Sequence, residues 1–252
     1  MKAMIFAAGM GTRLRPLTDN RHKALVEIEG CTLLEIALAR LREFGIREVV
    51  INVHHFADKL VEYLEAHDHF GMRIAVSREE ELLDTGGGLK KAAHFFLDDA
   101  RAVEAEEPIV VHNVDVVSTI DLAGLAEVHA AKKALATLAV QERKTSRYLL
   151  FDEHMQLCGR RIGDVATAEV VRKSRQVLPL AFAGIHIVSP RLFAKLTEDG
   201  PFSIITSYLR LAGEGEAVLG FRADEAYWRD LGRAEDLARA AEDLKERQFG
   251  KH

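Results

Sequence analysis

Short apolar runs alternate with amphipathic segments along the first half of the chain. Four apolar runs predict strands, at residues 3–8, 47–53, 72–76 and 108–117. Three segments between them repeat apolar residues at helical spacing and predict helices, at residues 32–44, 56–67 and 88–97. Strands that alternate with amphipathic helices are typical of βαβ units. The pattern therefore predicts an α/β fold with a mixed, mostly parallel sheet.

The first predicted helix carries a signal at each end. Thr32 and Glu35 form a T-x-x-E capping box, in which each side chain accepts a hydrogen bond from the other residue's backbone N–H. Gly45 stands where helices commonly end in a left-handed glycine. Both limits of this helix are thus predicted from local sequence.

The second half of the chain is less regular. Strands are predicted at residues 134–141, 147–152, 180–188 and 217–221. Helices are predicted at residues 122–133, 190–197, 203–212 and 234–247. Residues 153–163 indicate a turn and hairpin, and the stretch 164–178 has no clear period and is interpreted as a loop. No linker rich in proline, glycine or serine divides the chain, so a single domain over residues 1–252 is predicted.

The composition excludes several classes of protein. Hydrophobic residues make up 48% of the 252 residues, which is enough for a large core. The net charge of −5 provides no basic field for nucleic acid. Cys31 and Cys158 are too few for a disulfide framework and lack the spacing of a zinc site. Neither a signal peptide nor a run of roughly 20 apolar residues is found. We therefore expect a cytoplasmic protein that binds neither nucleic acid nor membrane.

The first strand runs directly into a loop that combines glycine with positive charge. Residues 7–18 read AAGMGTRLRPLT, and Lys23 follows. Gly9 and Gly11 let the backbone turn and approach a ligand, and exposed backbone N–H groups bind phosphate oxygens. Arg13 adds a planar fork that suits phosphate, and Lys23 adds a point charge. Ligands bind at the carboxyl ends of strands in open α/β sheets, so the loop is interpreted as a phosphate site.

Two common phosphate-binding loops do not match this sequence. The dinucleotide-binding turn requires G-x-G-x-x-G, but Leu14 occupies the third glycine position and Pro16 stands where the helix should be running. An NAD-dependent oxidoreductase is therefore disfavoured. A Walker A loop requires G-K-[S/T], which is missing. A plain glycine turn with solvated charges is the remaining alternative.

The complete string resembles the signature of the sugar-1-phosphate nucleotidyltransferases. That signature is A-A-G-x-G-T-R-L-x-P-L-T followed by a proline–lysine pair. The matching residues that the resemblance assigns to the nucleotide are Ala7, Ala8, Gly9, Gly11, Thr12, Arg13 and Lys23. Arg13 and Lys23 are the implied catalytic residues, and His22 stands where the family has proline. The implied fold is a three-layer sandwich with a Rossmann-like sheet, of the nucleotide-diphospho-sugar transferase type.

The resemblance also implies a reaction. A sugar 1-phosphate attacks the α-phosphorus of an NTP, and pyrophosphate leaves. The attacking oxygen is already anionic at neutral pH, so no protein nucleophile or general base is required. The enzyme must instead align two polyanions, for which fixed cations and a divalent metal are suited. The implied cofactor is Mg²⁺, the partners are an NTP and a sugar 1-phosphate, and the expected state is a monomer or homodimer.

Two aspartates resemble the metal ligands of that family. Asp115 closes the apolar strand PIVVHNVD, and Asp230 lies in YWRDLG, which is similar to the family's W-x-D-x-G element. Mg²⁺ commonly takes one or two carboxylates, with water and phosphate oxygens completing its shell. For Asp115 the alternative role is that of a turn residue at the end of a strand.

The segment ELLDTGGGLKKA, residues 81–92, resembles the family's loop for the base and ribose. The resemblance assigns Asp84, Thr85 and Gly86 to the nucleotide, and a helix N-terminus after the glycines attracts anions. The alternative is a plain helix cap made by Thr85, and the two roles are compatible. The T-G-G-G form is most similar to uridylyltransferases for N-acetylmuramate 1-phosphate, and it also resembles heptose-1-phosphate guanylyltransferases.

Three residues are assigned to the sugar, namely Asn113, Glu169 and Gly184. Residues 181–188, AFAGIHIV, are similar to the family's F-x-G-I strand, in which the glycine lets a sugar ring lie against the backbone. A β-bulge glycine is the alternative. Residues 1–116 are expected to form the nucleotide-binding half and residues 117–252 the sugar-phosphate-binding half.

The expected activity is uridylyl transfer to an amino sugar such as N-acetylmuramate 1-phosphate, in nucleotide-sugar biosynthesis. Guanylyl transfer to mannose or heptose 1-phosphate is the close alternative. A non-catalytic nucleotide or sugar-phosphate sensor on the same fold is a third hypothesis. It is disfavoured because a sensor does not need the pair of metal-binding aspartates.

Overall fold

The computed structural model describes residues 1–98, 106–163 and 168–247. The chain forms two compact units, each built from segments that are distant in sequence. The first unit comprises Lys2–Leu82, His112–Thr119 and Tyr227–His252. The second unit comprises Met1, Leu83–Val111 and Ile120–Ala226. Among the described residues, no helix has the length and apolar character required to cross a membrane.

Strands and helices follow one another along most of the described chain. The strands are β1 (Lys2–Phe6), β2 (Glu27–Ile28), β3 (Cys31–Thr32), β4 (Glu48–Val53), β5 (Arg73–Arg78), β6 (Ile109–Asn113), β7 (Val116–Ser118), β8 (Ala136–Gln141), β9 (Arg147–Phe151), β10 (Leu157–Ile162), β11 (Glu169–Val170), β12 (Leu178–Val188), β13 (Val218–Arg222) and β14 (Trp228–Asp230). The α-helices are α1 (Leu33–Glu43), α2 (Ala57–Ala66), α3 (Asp84–Lys91), α4 (Ala93–Leu97), α5 (Leu122–Ala131), α6 (Ile204–Gly213) and α7 (Ala234–Arg247).

The first unit contains a parallel sheet. β1 pairs with β4 and β4 pairs with β5, so that Ile5 lies opposite Ile51 and Ile51 opposite Val76. The residues of β1 and β4 are almost all buried, as a continuous apolar run requires. β7 and β14 form a separate antiparallel pair, as do β2 and β3. The carboxyl ends of the three parallel strands therefore lie at one edge of this sheet.

Helix α1 has the two end signals that its sequence predicts. The Thr32 hydroxyl accepts a hydrogen bond from the Glu35 N–H at 3.1 Å, and the Glu35 carboxylate accepts one from the Thr32 N–H at 2.6 Å. Gly45, which follows the last helical turn, has a φ of +87°. The predicted capping box and glycine end are both confirmed.

The second unit contains mostly antiparallel pairs. β10 pairs with β11 and with β9, and β9 pairs with β12, all antiparallel. β8 pairs antiparallel with β12 and parallel with β13. All six residues of β8 are buried. Parallel and antiparallel pairs occur together, and the predicted α/β class with a mixed sheet is confirmed.

The structure corrects two predicted elements. The apolar run 108–117 is not one strand, because β6 ends at Asn113 and β7 begins at Val116. The helix expected after the glycines instead includes them, because α3 begins at Asp84. A Cβ added to Gly86 would lie 2.2 Å from the Phe202 ring, and one added to Gly87 would lie 2.7 Å from the carbonyl oxygen of Gly200. The glycines therefore allow close packing of a helix, which outweighs their low helix propensity.

The stretch interpreted as a loop, 164–178, contains the short strand β11. Its pairing with β10 places Val170 opposite Gly159. Residues 164–167 of that stretch lie outside the described residues.

Candidate active site

The loop that follows β1 is built around Gly11. Its φ of +63° is left-handed, and it precedes a 3₁₀ turn at Thr12–Leu14. A Cβ added to Gly11 would lie 3.0 Å from Cγ2 of Thr18 and 3.3 Å from Cβ of Lys23. The Thr18 hydroxyl donates a hydrogen bond to the Gly11 carbonyl at 2.8 Å. Gly11 is therefore required by both its backbone conformation and the space around it.

Lys23 begins a second 3₁₀ turn, Lys23–Leu25, which His22 caps. Nδ1 of His22 accepts a hydrogen bond from the Ala24 N–H at 3.1 Å. The φ of His22 is −65°, which is the value that a proline ring imposes. The replacement of the family's proline by histidine thus preserves the backbone and adds a cap that proline has no side-chain atom to make.

His22 is held in its neutral form. Only 2% of the residue is exposed, and burial lowers its pKa to about 4, with the positive charges of Lys23 and His55 acting in the same direction. Only a neutral imidazole has the free Nδ1 lone pair that the Ala24 N–H requires. The turn that carries Lys23 is therefore stable at neutral pH.

Lys23 and Asp115 form a shielded ion pair. Nζ of Lys23 lies 2.5 Å from Oδ2 of Asp115, and the two side chains are 12% and 11% exposed. A Cβ added to Gly9 would lie 3.8 Å from the same Nζ, so the ammonium group lies beside the glycine loop. The pair joins the loop after β1 to the turn between β6 and β7.

The pairing of β7 with β14 places Asp230 close to Asp115. Asp230 lies opposite Val116 in this antiparallel pair, and the Leu231 N–H donates to the Asp115 carbonyl at 2.7 Å. Oδ1 of Asp230 accepts a hydrogen bond from the Gly232 N–H at 2.7 Å. Two carboxylates from distant parts of the sequence are thus brought together by backbone pairing.

The pKa of Asp230 is raised from its ordinary value. Burial of the carboxylate is the largest cause, and the negative charge of Asp115 adds to it. The Gly232 N–H and the positive charges of Arg13 and Lys23 act in the opposite direction. The position is therefore one at which additional positive charge is favourable.

Arg13 and Asp230 both lie close to Gly232. A Cβ added to Gly232 would lie 2.7 Å from one terminal nitrogen of Arg13 and 2.8 Å from Oδ1 of Asp230. The guanidinium group therefore packs against the backbone of Gly232. Four predicted residues belong to one group in the first unit, here called the charged cluster: Arg13, Lys23, Asp115 and Asp230.

The charged cluster has the donor set that a magnesium ion requires. Asp115 and Asp230 supply hard carboxylate oxygens. Burial of Asp230, together with the negative charge of Asp115, raises the pKa of the Asp230 carboxyl group. Within the described ranges, no group of three or more His, Cys, Asp or Glu residues could hold a metal ion. An ion bound by the two aspartates would complete its shell with water and phosphate oxygens.

The residues predicted to bind the base lie in the second unit. Asp84 has a φ of +57°, and its carboxylate accepts a hydrogen bond from the Thr85 N–H at 2.6 Å. The Thr85 hydroxyl accepts from the Ile204 N–H at 3.0 Å, and the Gly86 N–H donates to the Phe202 carbonyl at 2.8 Å. Thr85 does not cap α3, because Leu83 precedes that helix. The alternative role as a helix cap is therefore wrong.

The residues predicted to bind the sugar are divided between the two units. Asn113 ends β6 in the first unit and is half-buried. In the second unit, Glu169 pairs with Arg160 at 2.6 Å. Gly184 has a φ of +74° at the register shift between Phe182 and His186, so it is a β-bulge glycine.

Sequence reasoning missed Gly232 and Asn52. Gly232 completes the W-x-D-x-G element, and its small size provides the space that Arg13 occupies. Asn52 is a polar residue in the apolar strand EVVINV, and its side chain accepts a hydrogen bond from the Ala7 N–H at 2.8 Å. A buried amide in an apolar strand is the signal by which Asn52 could have been found.

Comparison with known sequences identifies the class of protein. The sequence model of the nucleotidyl transferase family matches residues 2–152. An N-acetylmuramate α-1-phosphate uridylyltransferase from Caulobacter vibrioides is 37% identical over 237 residues, which cover 91% of each chain. A mannose-1-phosphate guanyltransferase from Yarrowia lipolytica is 30% identical over 245 residues, which cover 94% of this chain and 62% of that protein. This chain thus spans less than two thirds of the second relative.

Solved structures have the same fold. HddC from Yersinia pseudotuberculosis, complexed with GMP-PN, has a TM-score of 0.74 at 22% identity, covering 96% of this chain and 99% of that one. The inositol-1-phosphate CTP transferase from T. maritima has a TM-score of 0.73 at 18% identity, covering 99% and 96%. At these identities the likeness supports the three-layer α/β fold alone.

The chain belongs to the nucleotidyl transferase family. Within that family it is a sugar-1-phosphate nucleotidyltransferase, as are the relatives to which it is similar. The predicted family, fold class and enzymatic nature are therefore confirmed, and the oxidoreductase and sensor hypotheses are set aside.

Proposed function

We propose that this enzyme transfers a uridylyl group from UTP to an amino sugar 1-phosphate such as N-acetylmuramate 1-phosphate. The choice of UTP and amino sugar is supported by the uridylyltransferase relative, which is 37% identical over 91% of both chains. The T-G-G-G form of residues 85–88 supports the same substrates. The products are a UDP-sugar and pyrophosphate.

The reaction is a displacement at phosphorus. An anionic oxygen of the sugar 1-phosphate forms a new bond to the α-phosphorus of UTP. The bond from that phosphorus to the oxygen bridging to the β-phosphate breaks, and its electron pair leaves with pyrophosphate. No proton has to be removed from the attacking oxygen, so the protein's task is to align two polyanions and offset their charge.

The single observation that carries the proposed nucleotidyl transfer is the charged cluster. Arg13 and Lys23 lie on the loop after β1, where they offset the charge on the triphosphate. The ion pair with Asp115 fixes Lys23 at 2.5 Å before any substrate binds. Arg13 is an exposed residue, and its guanidinium group is held against Gly232. Catalysis then depends on charges that are already oriented, which is the main source of electrostatic stabilisation in phosphoryl chemistry.

We assign Mg²⁺ to Asp115 and Asp230. When bound, the ion supplies Lewis-acid neutralisation of phosphate charge. The two aspartates are suited to hold it because the β7–β14 pair fixes their backbones. The ion pair with Lys23 also keeps the Asp115 carboxylate in a defined position.

The remaining predicted residues are assigned to substrate binding. The triphosphate is assigned to the loop residues Ala7, Ala8, Gly9, Gly11 and Thr12. The base and ribose are assigned to Asp84, Thr85 and Gly86, and the sugar to Asn113, Glu169 and Gly184. In this proposal residues 1–116 form the nucleotide half and residues 117–252 the sugar-phosphate half. A cytoplasmic monomer or homodimer remains the proposed state.

The test is a pyrophosphate-release screen of four NTPs against a panel of sugar 1-phosphates. The panel includes N-acetylmuramate, N-acetylglucosamine, glucose, mannose and heptose 1-phosphates. The proposal requires the highest kcat/KM with UTP and an amino sugar 1-phosphate, in the presence of Mg²⁺. Preference for another NTP or a neutral sugar would contradict the assignment of substrates without affecting the class of enzyme.

A second candidate is guanylyl transfer to mannose or heptose 1-phosphate. It is supported by the mannose-1-phosphate guanyltransferase relative, which is 30% identical over 94% of this chain. In the same screen this candidate requires GTP to be the preferred nucleotide. The two candidates are therefore separated in one experiment.

A further inference from the structure

Asn52 is a buried amide at the carboxyl end of β4. The residue is 2% exposed, and its neighbours along the strand are valine and isoleucine. A polar group removed from water is unfavourable unless it is hydrogen-bonded. The bonds that Asn52 makes therefore account for its presence in an otherwise apolar strand.

The side chain of Asn52 joins the ends of the other two parallel strands. Its oxygen accepts a hydrogen bond from the Ala7 N–H at 2.8 Å, and its nitrogen donates one to Oε1 of Glu79 at 2.7 Å. A backbone N–H only donates, and an ionised carboxylate only accepts. The amide is therefore fixed in one orientation by its two partners.

Glu79 is itself held in place. The residue is 3% exposed, and its N–H donates to the Val53 carbonyl at 2.7 Å. Its own carbonyl is 2.9 Å from Nδ1 of His54. The carboxylate that orients Asn52 thus comes from an anchored position just after β5.

Ala7 is the point at which the glycine loop leaves the sheet. The register between β1 and β4 ends with Phe6 opposite Asn52, so the Ala7 N–H lies just beyond this paired stretch. Asn52 supplies a partner from its side chain instead, and so extends the fixed backbone by one residue towards Gly9. An error of about 1 Å in the position of such a loop reduces catalysis by about 100-fold.

We propose that Asn52, oriented by Glu79, is a positioning residue that fixes the start of the phosphate-binding loop. This inference rests on the proposed function, because it assumes that the loop binds the phosphates of the NTP. It adds two residues that do not themselves belong to the charged cluster. Their effect on substrate is exerted through the backbone of Ala7.

The decisive variants alter this chain of hydrogen bonds without a large change in volume. Asn52→Ala removes both bonds. Asn52→Asp keeps the acceptor for Ala7 but faces Glu79 with a second carboxylate. The double variant combines Asn52→Asp with Glu79→Gln. The new amide at position 79 then donates a hydrogen bond to the new carboxylate at position 52, so the connection is restored with donor and acceptor exchanged. Ile51→Val, in the same strand with its side chain on the opposite face, is the matched control.

Three measurements are made on the full chain: hydrogen exchange of the Ala7 amide by NMR, affinity for UTP with Mg²⁺ by calorimetry, and kcat and KM from pyrophosphate release. We expect Asn52→Ala to accelerate exchange at Ala7 and to reduce kcat/KM for the NTP by about 10- to 100-fold. The KM for the sugar 1-phosphate should change by less than about threefold. The double variant should recover most of what Asn52→Asp loses.

The inference is wrong if Asn52→Ala behaves like Ile51→Val in exchange at Ala7 and in nucleotide affinity, or if the double variant is no better than Asn52→Asp. A wild-type protein that binds UTP but transfers nothing would contradict the proposed function alone. In that case the exchange and affinity measurements still decide the role of Asn52. A wild-type protein that binds no NTP would overturn both.

Discussion

The guanidinium group of Arg13 packs against the backbone of Gly232. A methyl group at Gly232 would lie 2.7 Å from a terminal nitrogen of Arg13 and 2.8 Å from Oδ1 of Asp230. These distances are too short for any real contact, so one of the two charged groups must move. The glycine of the W-x-D-x-G element is therefore needed for space, since its φ is not positive.

Gly232→Ala should reduce kcat by about 10- to 100-fold, because the added methyl group displaces Arg13 or Asp230 from its position relative to the substrate. The measurement is pyrophosphate release under saturating substrates. Gly213→Ala is the control, since a Cβ there meets its nearest atoms at 3.4 Å, an ordinary contact distance. Equal kcat values for the two variants would show that Arg13 and Asp230 tolerate displacement.

Asp115→Asn should reduce pyrophosphate release by at least about 100-fold while the fold is retained. The change removes one carboxylate from the charged cluster and the partner of Lys23 at 2.5 Å. Activity is measured over a range of Mg²⁺ concentrations, with Asp58→Asn on the surface as the control. If the variant shows wild-type turnover at every Mg²⁺ concentration, Asp115 has no role in holding the ion.

His22→Pro should fold and retain activity at neutral pH. The φ of −65° already suits proline, and the cap to the Ala24 N–H is the hydrogen bond that is lost. Loss of a cap costs about 1 kcal/mol, and the reduced freedom of the unfolded chain offsets roughly half of that. Urea unfolding and pyrophosphate release are the two measurements. A large loss of activity would indicate that the imidazole does more than cap the turn.

Stability should fall as the pH is lowered from about 6.5 to about 4. Burial lowers the pKa of His22, His112 and His129 from 6.5 to about 4 in each case. Between those pH values the histidines of the unfolded chain bind protons that those of the folded chain do not. The stabilisation is therefore complete above the pKa that the histidines have in the unfolded chain, and it is lost as the pH falls through their pKa in the folded chain. The loss is up to about 3 kcal/mol per histidine.

The check on this pH dependence is urea unfolding at several pH values. His129→Gln should reduce the loss of stability, because it removes one of the three histidines whose pKa is lowered to about 4. His154→Gln, at an exposed position, should leave the loss unchanged. A free energy of unfolding that is constant between pH 7 and pH 4.5 would contradict the prediction.

Gly86→Ala should destabilise the protein by about 1–3 kcal/mol, because its Cβ would lie 2.2 Å from the Phe202 ring. The double variant with Phe202→Leu should recover part of this loss. Unfolding by heat or urea measures both. If Gly86→Ala instead leaves stability unchanged and weakens only UTP binding, the glycine serves the ligand rather than the packing.

Local sequence was sufficient to predict much of the fold. Thr32, Glu35 and Gly45 specify the ends of α1 through hydrogen bonds between neighbours in sequence, so no distant residue had to be known. The buried strands were also predictable, because a continuous apolar run is itself the signal for a strand that is covered on both faces. Motifs of the family also indicated the four residues of the charged cluster. The loop signature contains Arg13 and Lys23, whereas Asp115 and Asp230 were matched to a strand end and to the W-x-D-x-G element.

The errors arose where a distant segment decides the local conformation. Nothing within residues 84–88 shows that Phe202 and Gly200 will pack against the glycines and draw them into a helix. The predicted strand 108–117 is likewise interrupted between β6 and β7, and β14 pairs with β7. The role of His22 was not predicted either, since its neutral state results from burial, which the neighbouring sequence does not reveal.

The first unit draws Arg13 and Lys23 from its first segment, Asp115 from its second and Asp230 from its third. During synthesis the ribosome therefore releases both cationic residues and one aspartate long before the last member of the cluster exists. Nascent or prematurely terminated chains that stop before Tyr227 can be expected to lack turnover, however well their first strands have folded.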